Sequence, residues 1–167
     1  FKEATPVAKS DAVKGLEPRA LWWFRYAALL TFITGVLILG IQGHMRQGAG
    51  NWSFWITMGA LMGTLMFLNV WLIIWPNQKI VCGIVPGDAA AAGPKALLAS
   101  RTNVLFSGPM LFCMAAASHL PGKAIAVASP TAVGIVVALI ALIEINAIKG
   151  KLWQPMVTIK GVIHCSL

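Results

Sequence analysis

The sequence predicts an all-α integral membrane protein, a four-helix bundle with both termini in the cytoplasm. Of its 167 residues, 58% are hydrophobic and only 11% are charged, and its mean hydropathy is +0.79. A soluble domain of this composition would have too little polar surface to stay dissolved. Four apolar segments approach or exceed the roughly 20 helical residues that a bilayer crossing needs, and they supply the predicted spans.

The polar flanks divide the chain into three parts. Residues 1–19 are polar and mixed in charge, which predicts a solvated arm without the apolar core of a signal peptide. Residues 20–148 hold the four spans, and residues 149–167 form a basic tail with Trp153 as an interface anchor. The basic residues flank the apolar runs, so the net charge of +8 indicates membrane orientation and does not argue for nucleic acid as a partner.

The first predicted helix covers Ala20–Gly43. Trp22 and Trp23 lie at its entry, where indole rings favour the membrane–water interface. Arg25 lies about one turn inside, and its long stem is expected to carry the charge back to the headgroups. A polar, glycine-rich turn, His44–Gly50, follows this helix.

The second predicted helix, Trp52–Trp75, contains no charged residue. Pro76 lacks a backbone N–H and restricts the residue before it, so the helix is expected to end there. Trp71 and Trp75 suit the interface at this end, because each combines an apolar ring with a polar N–H.

Three residues inside the second helix predict contact with other helices. The Asn69 amide cannot face lipid cheaply, so it should face another helix or a cofactor. Gly59 and Gly63 form a GxxxG pair in an apolar run, which is typical of a close helix–helix contact.

The rest of the chain predicts a loop and two further helices. Ile80–Ser100 reads as a loop, because Pro86-Gly87-Asp88 is a turn signal, and within it Ala89–Ala92 is either a small-residue linker or a short helix. The third helix is expected over Thr102–Leu120 and the fourth over Ala124–Ile148. Glu144 is expected to form an interfacial ion pair with a lysine of the tail, and a proton-relay role is the alternative.

The basic residues predict the orientation. With four spans, ten of them lie on the side of the termini and two on the other, which places both termini in the cytoplasm. The ten are Lys2, Lys9, Lys14, Arg19, Lys79, Lys95, Arg101, Lys149, Lys151 and Lys160, and the two are Arg46 and Lys123.

Two histidines are the candidates for cofactor binding. His119 follows the third helix, and His44 lies in the first turn on the same predicted side. As haem or metal ligands they would need further ligands. The competing interpretations are an interfacial His119 bonded to a neighbouring turn and a solvated His44 in its loop. The cysteines form no CxxC pair, so no zinc or disulfide framework and no covalent c-type haem is expected. Haem b and the absence of any cofactor both stay open.

Three stretches occur in an order typical of a known family. They are Leu21–Tyr26 before a helix, Asn69–Lys79 with its WPNQK end, and Arg101–His119 with RTN at its start and SH at its end. In this order they resemble the later half of the membrane domain of the bacterial urate oxidase family, whose members usually carry a C-terminal cytochrome c. The resemblance implies a membrane redox component that passes electrons to a cytochrome c.

Five positions match the family pattern under this resemblance: Asn69, Asn77, Gln78, Asn103 and His119. The family domain has further spanning helices before this region and a cytochrome c module, neither of which this sequence contains. A family histidine early in the second helix corresponds to Thr57 here. We therefore expect these amide side chains to act in helix contacts and not as a complete catalytic site.

The resulting expectation is an accessory transmembrane subunit of a larger membrane redox complex, whether respiratory, photosynthetic or a monooxygenase. The alternative is one half of a membrane-bound urate-oxidising enzyme that passes electrons to cytochrome c. The expected partners are bound membrane lipid, other transmembrane subunits and, in the alternative, a cytochrome c. The expected location is the bacterial inner membrane.

Overall fold

Every regular secondary-structure element in the described part of the chain is a helix. In a computed structural model the chain is described for residues 5–41, 53–119 and 129–167. The elements are α1 (Pro6–Asp11), a π-helical segment (Ala12–Leu16), α2 (Glu17–Ile41), α3 (Phe54–Leu68), a second π-helical segment (Asn69–Ile74), α4 (Trp75–Val81), α5 (Ala89–His119), α6 (Pro130–Lys149), α7 (Gln154–Val157) and α8 (Ile159–Ser166).

Three continuous helical stretches are long and apolar enough to cross a membrane. They are Ala12–Ile41, Phe54–Val81 and Pro130–Lys149. These correspond to the first, second and fourth predicted spans. The predicted third span lies within α5, which is longer than expected but not apolar enough to be counted with the other three.

The second helix does not end at Trp75, as the sequence had suggested, but continues to Val81. The reason lies in the π-helical segment before it, where the Trp75 N–H donates to the Val70 carbonyl five residues back. Pro76 then occupies the first turn of α4, a place where a proline costs little because no N–H is needed.

The predicted loop over Ile80–Ser100 is also wrong over its second half, because α5 begins at Ala89. Asp88 caps this helix: its Oδ1 accepts from the Ala90 N–H at 2.9 Å and from the Ala91 N–H at 3.3 Å. Asp88, which the sequence analysis assigned to a turn, is therefore the N-cap of α5. The loop is limited to the residues between the end of α4 at Val81 and Asp88.

The first and last predicted spans both start at positions other than the predicted ones: the first continuous helical stretch begins at Ala12 and not at Ala20, and α6 begins at Pro130 and not at Ala124. α2 starts at Glu17 and is described to Ile41. The Ser129 hydroxyl caps α6 by accepting from the Ala132 N–H at 3.2 Å. The remaining ends of these predicted helices, together with His44, Arg46 and Lys123, lie outside the described residues.

α5 is the central helix of the structure and runs antiparallel to α3. Gly59 lies against Met114 near one end of the pair, and Met66 lies against Asn103 further along. α6 completes this packed group, since its Ile140 joins a core with residues of α3 and α5. The buried members of that core are Met58, Met62, Phe106, Cys113 and Ile140.

The C-terminal tail folds back onto α5. Met156 and Val162 are 1% and 0% exposed and pack against Leu98 and Leu105. Two short helices within residues 149–167 thus add a small apolar core to the tail, which the basic character of its sequence did not suggest.

The end of α8 inserts a hydroxyl into the hydrogen-bond ladder of α5. The Ser166 Oγ accepts from the Gly108 N–H at 3.0 Å and donates to the Val104 carbonyl at 3.2 Å. These two backbone groups would bond each other in an uninterrupted α-helix. The interruption falls one residue before Pro109, which cannot donate to the ladder either.

Candidate functional site

A buried polar link joins three helices at the centre of the packed group. Asn69 Nδ2 donates to Asn103 Oδ1 at 3.0 Å and to Glu144 Oε2 at 3.1 Å. Asn103 Nδ2 in turn donates to the Met66 carbonyl at 3.0 Å. Asn69 is only 1% exposed, so these bonds replace the water that its amide would otherwise need.

The backbone of the polar link changes conformation at Asn69, the first residue of the π-helical segment Asn69–Ile74. Short π-helical turns inside α-helices occur frequently at functional sites. At the start of the π-helical segment, Asn69 reaches Asn103 of α5 and Glu144 of α6. The Met66 carbonyl, about one turn earlier, accepts the hydrogen bond from the Asn103 amide. The arrangement holds the Asn69 amide between the Asn103 amide and the Glu144 carboxyl group, and that carboxyl group is the member of the link that can exchange a proton.

Glu144 therefore takes a different partner from the one that the sequence suggested. Its carboxylate accepts from the Asn69 amide, whereas Lys149 and Lys151 were the expected partners. Glu144 shares the packed face of α6 with Ile140 and Ala147, the two buried residues of that helix. Because α6 is apolar on every side, its sequence gives no signal of which face meets its neighbours.

An apolar cavity of about 590 Å³ lies beside this link, between α2, α3 and α5. Asn103 belongs to both features, because it bonds Asn69 and also lines the cavity. Ser100 and Ser107 line it from the same face of α5. The rest of the wall is mainly apolar, so the cavity suits an apolar ligand and not a small polar purine.

An arginine enclosed by aromatic rings lies at one end of α2. The Arg25 guanidinium carbon is 4.2 Å from the ring centroid of Trp75, 4.8 Å from Trp71 and 4.7 Å from Tyr26. Its Nη2 donates to the Tyr26 hydroxyl at 3.0 Å, while its Nε is buried without a partner among the described residues. We call Arg25, Tyr26, Trp71 and Trp75 the arginine cluster. Trp22 packs against its Tyr26 at 4.5 Å, and Trp23 packs against Trp22 at 5.2 Å.

The other predicted contact residues are distributed differently. Asn77 donates to the Ile73 carbonyl of its own helical stretch at 2.7 Å, and Gln78 Oε1 is buried without a partner within the described ranges. A Cβ on Gly59 would contact Met114 of α5 at 3.2 Å, whereas one on Gly63 would meet nothing within 4 Å. Only the first glycine of the GxxxG pair thus lies in a close helix contact.

Of the two histidine candidates, the described residues include only His119. His119 is exposed at the last position of α5, and His44 lies outside the described residues. Within residues 5–41, 53–119 and 129–167, no three histidine, cysteine or acidic side chains come together in a way that could hold a metal ion.

Comparison with known proteins gives one family match. The model of the urate oxidase N-terminal family matches residues 44–150. This range includes α3, α4, α5 and α6, and therefore the whole polar link, but not α2 or the C-terminal helices. No curated protein and no solved structure matches the chain.

Proposed function

Because the chain belongs to the urate oxidase N-terminal family, we propose that it is a transmembrane subunit of a membrane redox complex connected with urate oxidation. The observation that supports a subunit is the large apolar surface left uncovered. Leu39 is the one buried residue that α2 contributes, and α6 buries only Ile140 and Ala147. Such faces are suited to lipid and to further transmembrane helices.

Four crossings are part of this proposal. α5 packs along α3 and the π-helical segment that follows it. Met114 of α5 contacts Gly59 at one end, and Ala99 packs with Ile74 at the other. A helix that accompanies a spanning helix over this length would cross the same hydrocarbon layer, although it is more polar. With four crossings, the ten basic residues on one side support a cytoplasmic location for both termini, and the proposed membrane is the inner membrane of a bacterial cell.

Purification in a mild detergent tests the subunit role. We expect the tagged chain to co-purify with at least one other transmembrane protein in constant ratio, measured by native mass spectrometry. A chain that runs alone under conditions that preserve other membrane complexes would contradict the proposal.

A second candidate function, one half of a urate-oxidising enzyme that passes electrons to cytochrome c, is supported by the polar link. Asn69 and Asn103 are among the positions that match the family pattern; Asn69 donates to the Glu144 carboxyl inside the packed group, and Asn103 accepts from the same Asn69 amide. A carboxyl group so placed could take up a proton released when a purine is oxidised. Such an enzyme would also need the family's remaining helices and a cytochrome.

Urate-dependent reduction of cytochrome c by membranes that contain the chain tests this second function. Glu144→Gln keeps the shape of the side chain but removes its proton exchange, so the rate should fall by about 10²-fold or more. Glu17→Gln is the matched control, because it makes the same change at an acid of α2 that lies before the family-matched range, and it should retain the rate. His119→Ala tests the histidine in the same assay. Absence of any urate-dependent reduction would exclude the second function and leave the subunit role standing.

A further inference from the structure

We propose that the cavity between α2, α3 and α5 holds one acyl chain of a single anionic phospholipid, whose phosphate lies at the arginine cluster. This inference is independent of urate chemistry. It rests on the length of the cavity, the open space inside it and the charge at one of its ends.

The cavity follows most of the length of α2. Its wall on that helix extends from Phe24 to Leu39, a rise of about 22 Å at 1.5 Å per residue. One leaflet contributes about 15 Å to the hydrocarbon core of a bilayer. The cavity is therefore long enough for an extended acyl chain, and its volume of about 590 Å³ lies within the usual range of ligand sites.

Glycines keep this space open from both walls. A Cβ added to Gly35 of α2 or to Gly63 of α3 would meet nothing within 4 Å. An empty apolar space of this size inside a membrane would forfeit packing contacts on every wall. Exposed residues of α2 that line it, such as Val36, leave a side through which lipid can enter.

The arginine cluster supplies the charge. Phe24 and Ala28, which flank Arg25 on α2, both line the cavity, as do Val70 and Ile74 beside the two tryptophans. The aromatic rings cover the guanidinium, so its edge is left for hydrogen bonds in its own plane. Arg25 Nε and Trp71 Nε1 are both buried donors without partners among the described residues.

The Arg25 guanidinium carries a full positive charge and donates to one neutral acceptor, the Tyr26 hydroxyl, so an acceptor with negative charge would complement it. A lipid phosphate meets this requirement and brings the acyl chain that the cavity fits. An isoprenoid quinone would fill the cavity but carries no charge for Arg25, so charge complementarity favours the phospholipid.

Native mass spectrometry with defined nanodiscs provides the test. The chain is reconstituted with phosphatidylglycerol or with phosphatidylcholine of the same acyl chains, then released into detergent. We expect one phosphatidylglycerol to stay bound per chain, with about fivefold preference over phosphatidylcholine, the attraction typical of one arginine. Arg25→Gln should abolish the preference.

Two variants block the acyl chain from opposite walls. Gly63→Leu and Gly35→Leu each place a side chain in the cavity and should lower lipid retention at least tenfold. Two variants are used so that the test still holds if one of them fails to fold. Gly134→Leu on α6 is the matched control, because its Cβ also meets nothing and it does not line the cavity. Equal retention in all three variants, an unchanged preference in Arg25→Gln, or recovery of a quinone instead of phospholipid would overturn the proposal.

Discussion

Of the two helices α2 and α5, the more apolar one is the less buried. α2 belongs to a stretch with a mean window hydropathy of 1.9, yet Leu39 is its single buried residue. α5 is not apolar enough to be counted among the membrane-crossing candidates, yet nine of its 31 residues are buried. The number of buried residues in each of these helices therefore depends on its contacts with other helices. The exposed apolar side chains of α2 form a surface that lipid or other subunits can cover.

The cause of this difference is the kind of contact that each helix makes. Between helices in lipid there is no hydrophobic driving force, so close packing and hydrogen bonds decide which helices associate. α5 offers small residues and two polar attachments, the Asn103 amide and the interrupted ladder at Gly108. α2 is held by few contacts, among them the stacking of Phe32 on Phe67 at 4.4 Å and the arginine cluster.

The family match covers the closely packed helices and leaves out the loosely attached α2. Residues 44–150 contain the packed group of α3, α5 and α6, while α2 lies before the matched range. The three predictions below test the comparison, starting with the contact that we expect to matter most.

Gly108→Val should cause the largest loss of stability. A Cβ at this position would collide with the carbonyl oxygen and hydroxyl of Ser166, so α8 could no longer lie in the ladder of α5. Overpacking of this kind costs about 1–3 kcal/mol. We expect a lower unfolding midpoint in detergent, together with faster tryptic cleavage at Lys160 as the tail comes away.

The control for this substitution is Gly134→Val on the exposed face of α6, where a Cβ meets nothing within 4 Å. Its stability should stay within about 0.5 kcal/mol of the parent. Equal losses in the two variants would show that α5 is sensitive to helix propensity alone and that the docked tail contributes nothing.

Asn69→Ala should have the next largest effect. It leaves Asn103 Oδ1 and Glu144 Oε2 without the donor that now serves both. Interhelical hydrogen bonds in membranes contribute roughly 0.6–2 kcal/mol, so we expect a loss of about 1–2 kcal/mol in the free energy of unfolding. Urea or detergent-titration unfolding followed by circular dichroism gives the measurement.

Asn77→Ala provides the comparison, because the Asn77 amide donates to the Ile73 carbonyl of its own helical stretch and, within the described residues, to no other helix. Its loss should be about 0.5 kcal/mol. If both variants lost the same amount, the polar link would not hold the packed group together.

The long helices could be predicted from the sequence because a membrane imposes a length on each apolar run. Asn69 could be assigned to a helix contact for a related reason, since an amide in lipid is costly. Its partners could not be named: Asn103 and Glu144 are 34 and 75 positions away, and no local pattern encodes such pairings.

The errors at the helix ends also have physical causes. Pro76 reads as a helix end because local rules do not anticipate the π-helical segment that accommodates it. Asp88 reads as part of a turn, and the same side chain is a helix cap. Ser166 gave no signal, because its role depends on a tail that folds back onto Gly108.

The smallest predicted effect concerns the attachment of α2, and the measured quantity is the alkylation rate of the Cys82 thiol. Burial, and after it the negative charge of Glu17 at the start of α2, raise the pKa of the Cys82 thiol. A raised pKa lowers the thiolate fraction at neutral pH, so alkylation of Cys82 should be slow and should accelerate as the pH rises. The exposed Cys165 should react first at every pH.

Glu17→Gln removes the second of these two causes and leaves burial in place. The pKa of Cys82 should then fall, and its alkylation at pH 8 should quicken modestly while remaining slower than that of Cys165. Asp11→Asn, which removes an exposed acid of α1, is the control and should change nothing. Maleimide labelling followed by peptide mass spectrometry measures each rate. An unchanged Cys82 rate in Glu17→Gln would mean that the start of α2 does not stay beside α4, so this helix would be held even more loosely than its few contacts indicate.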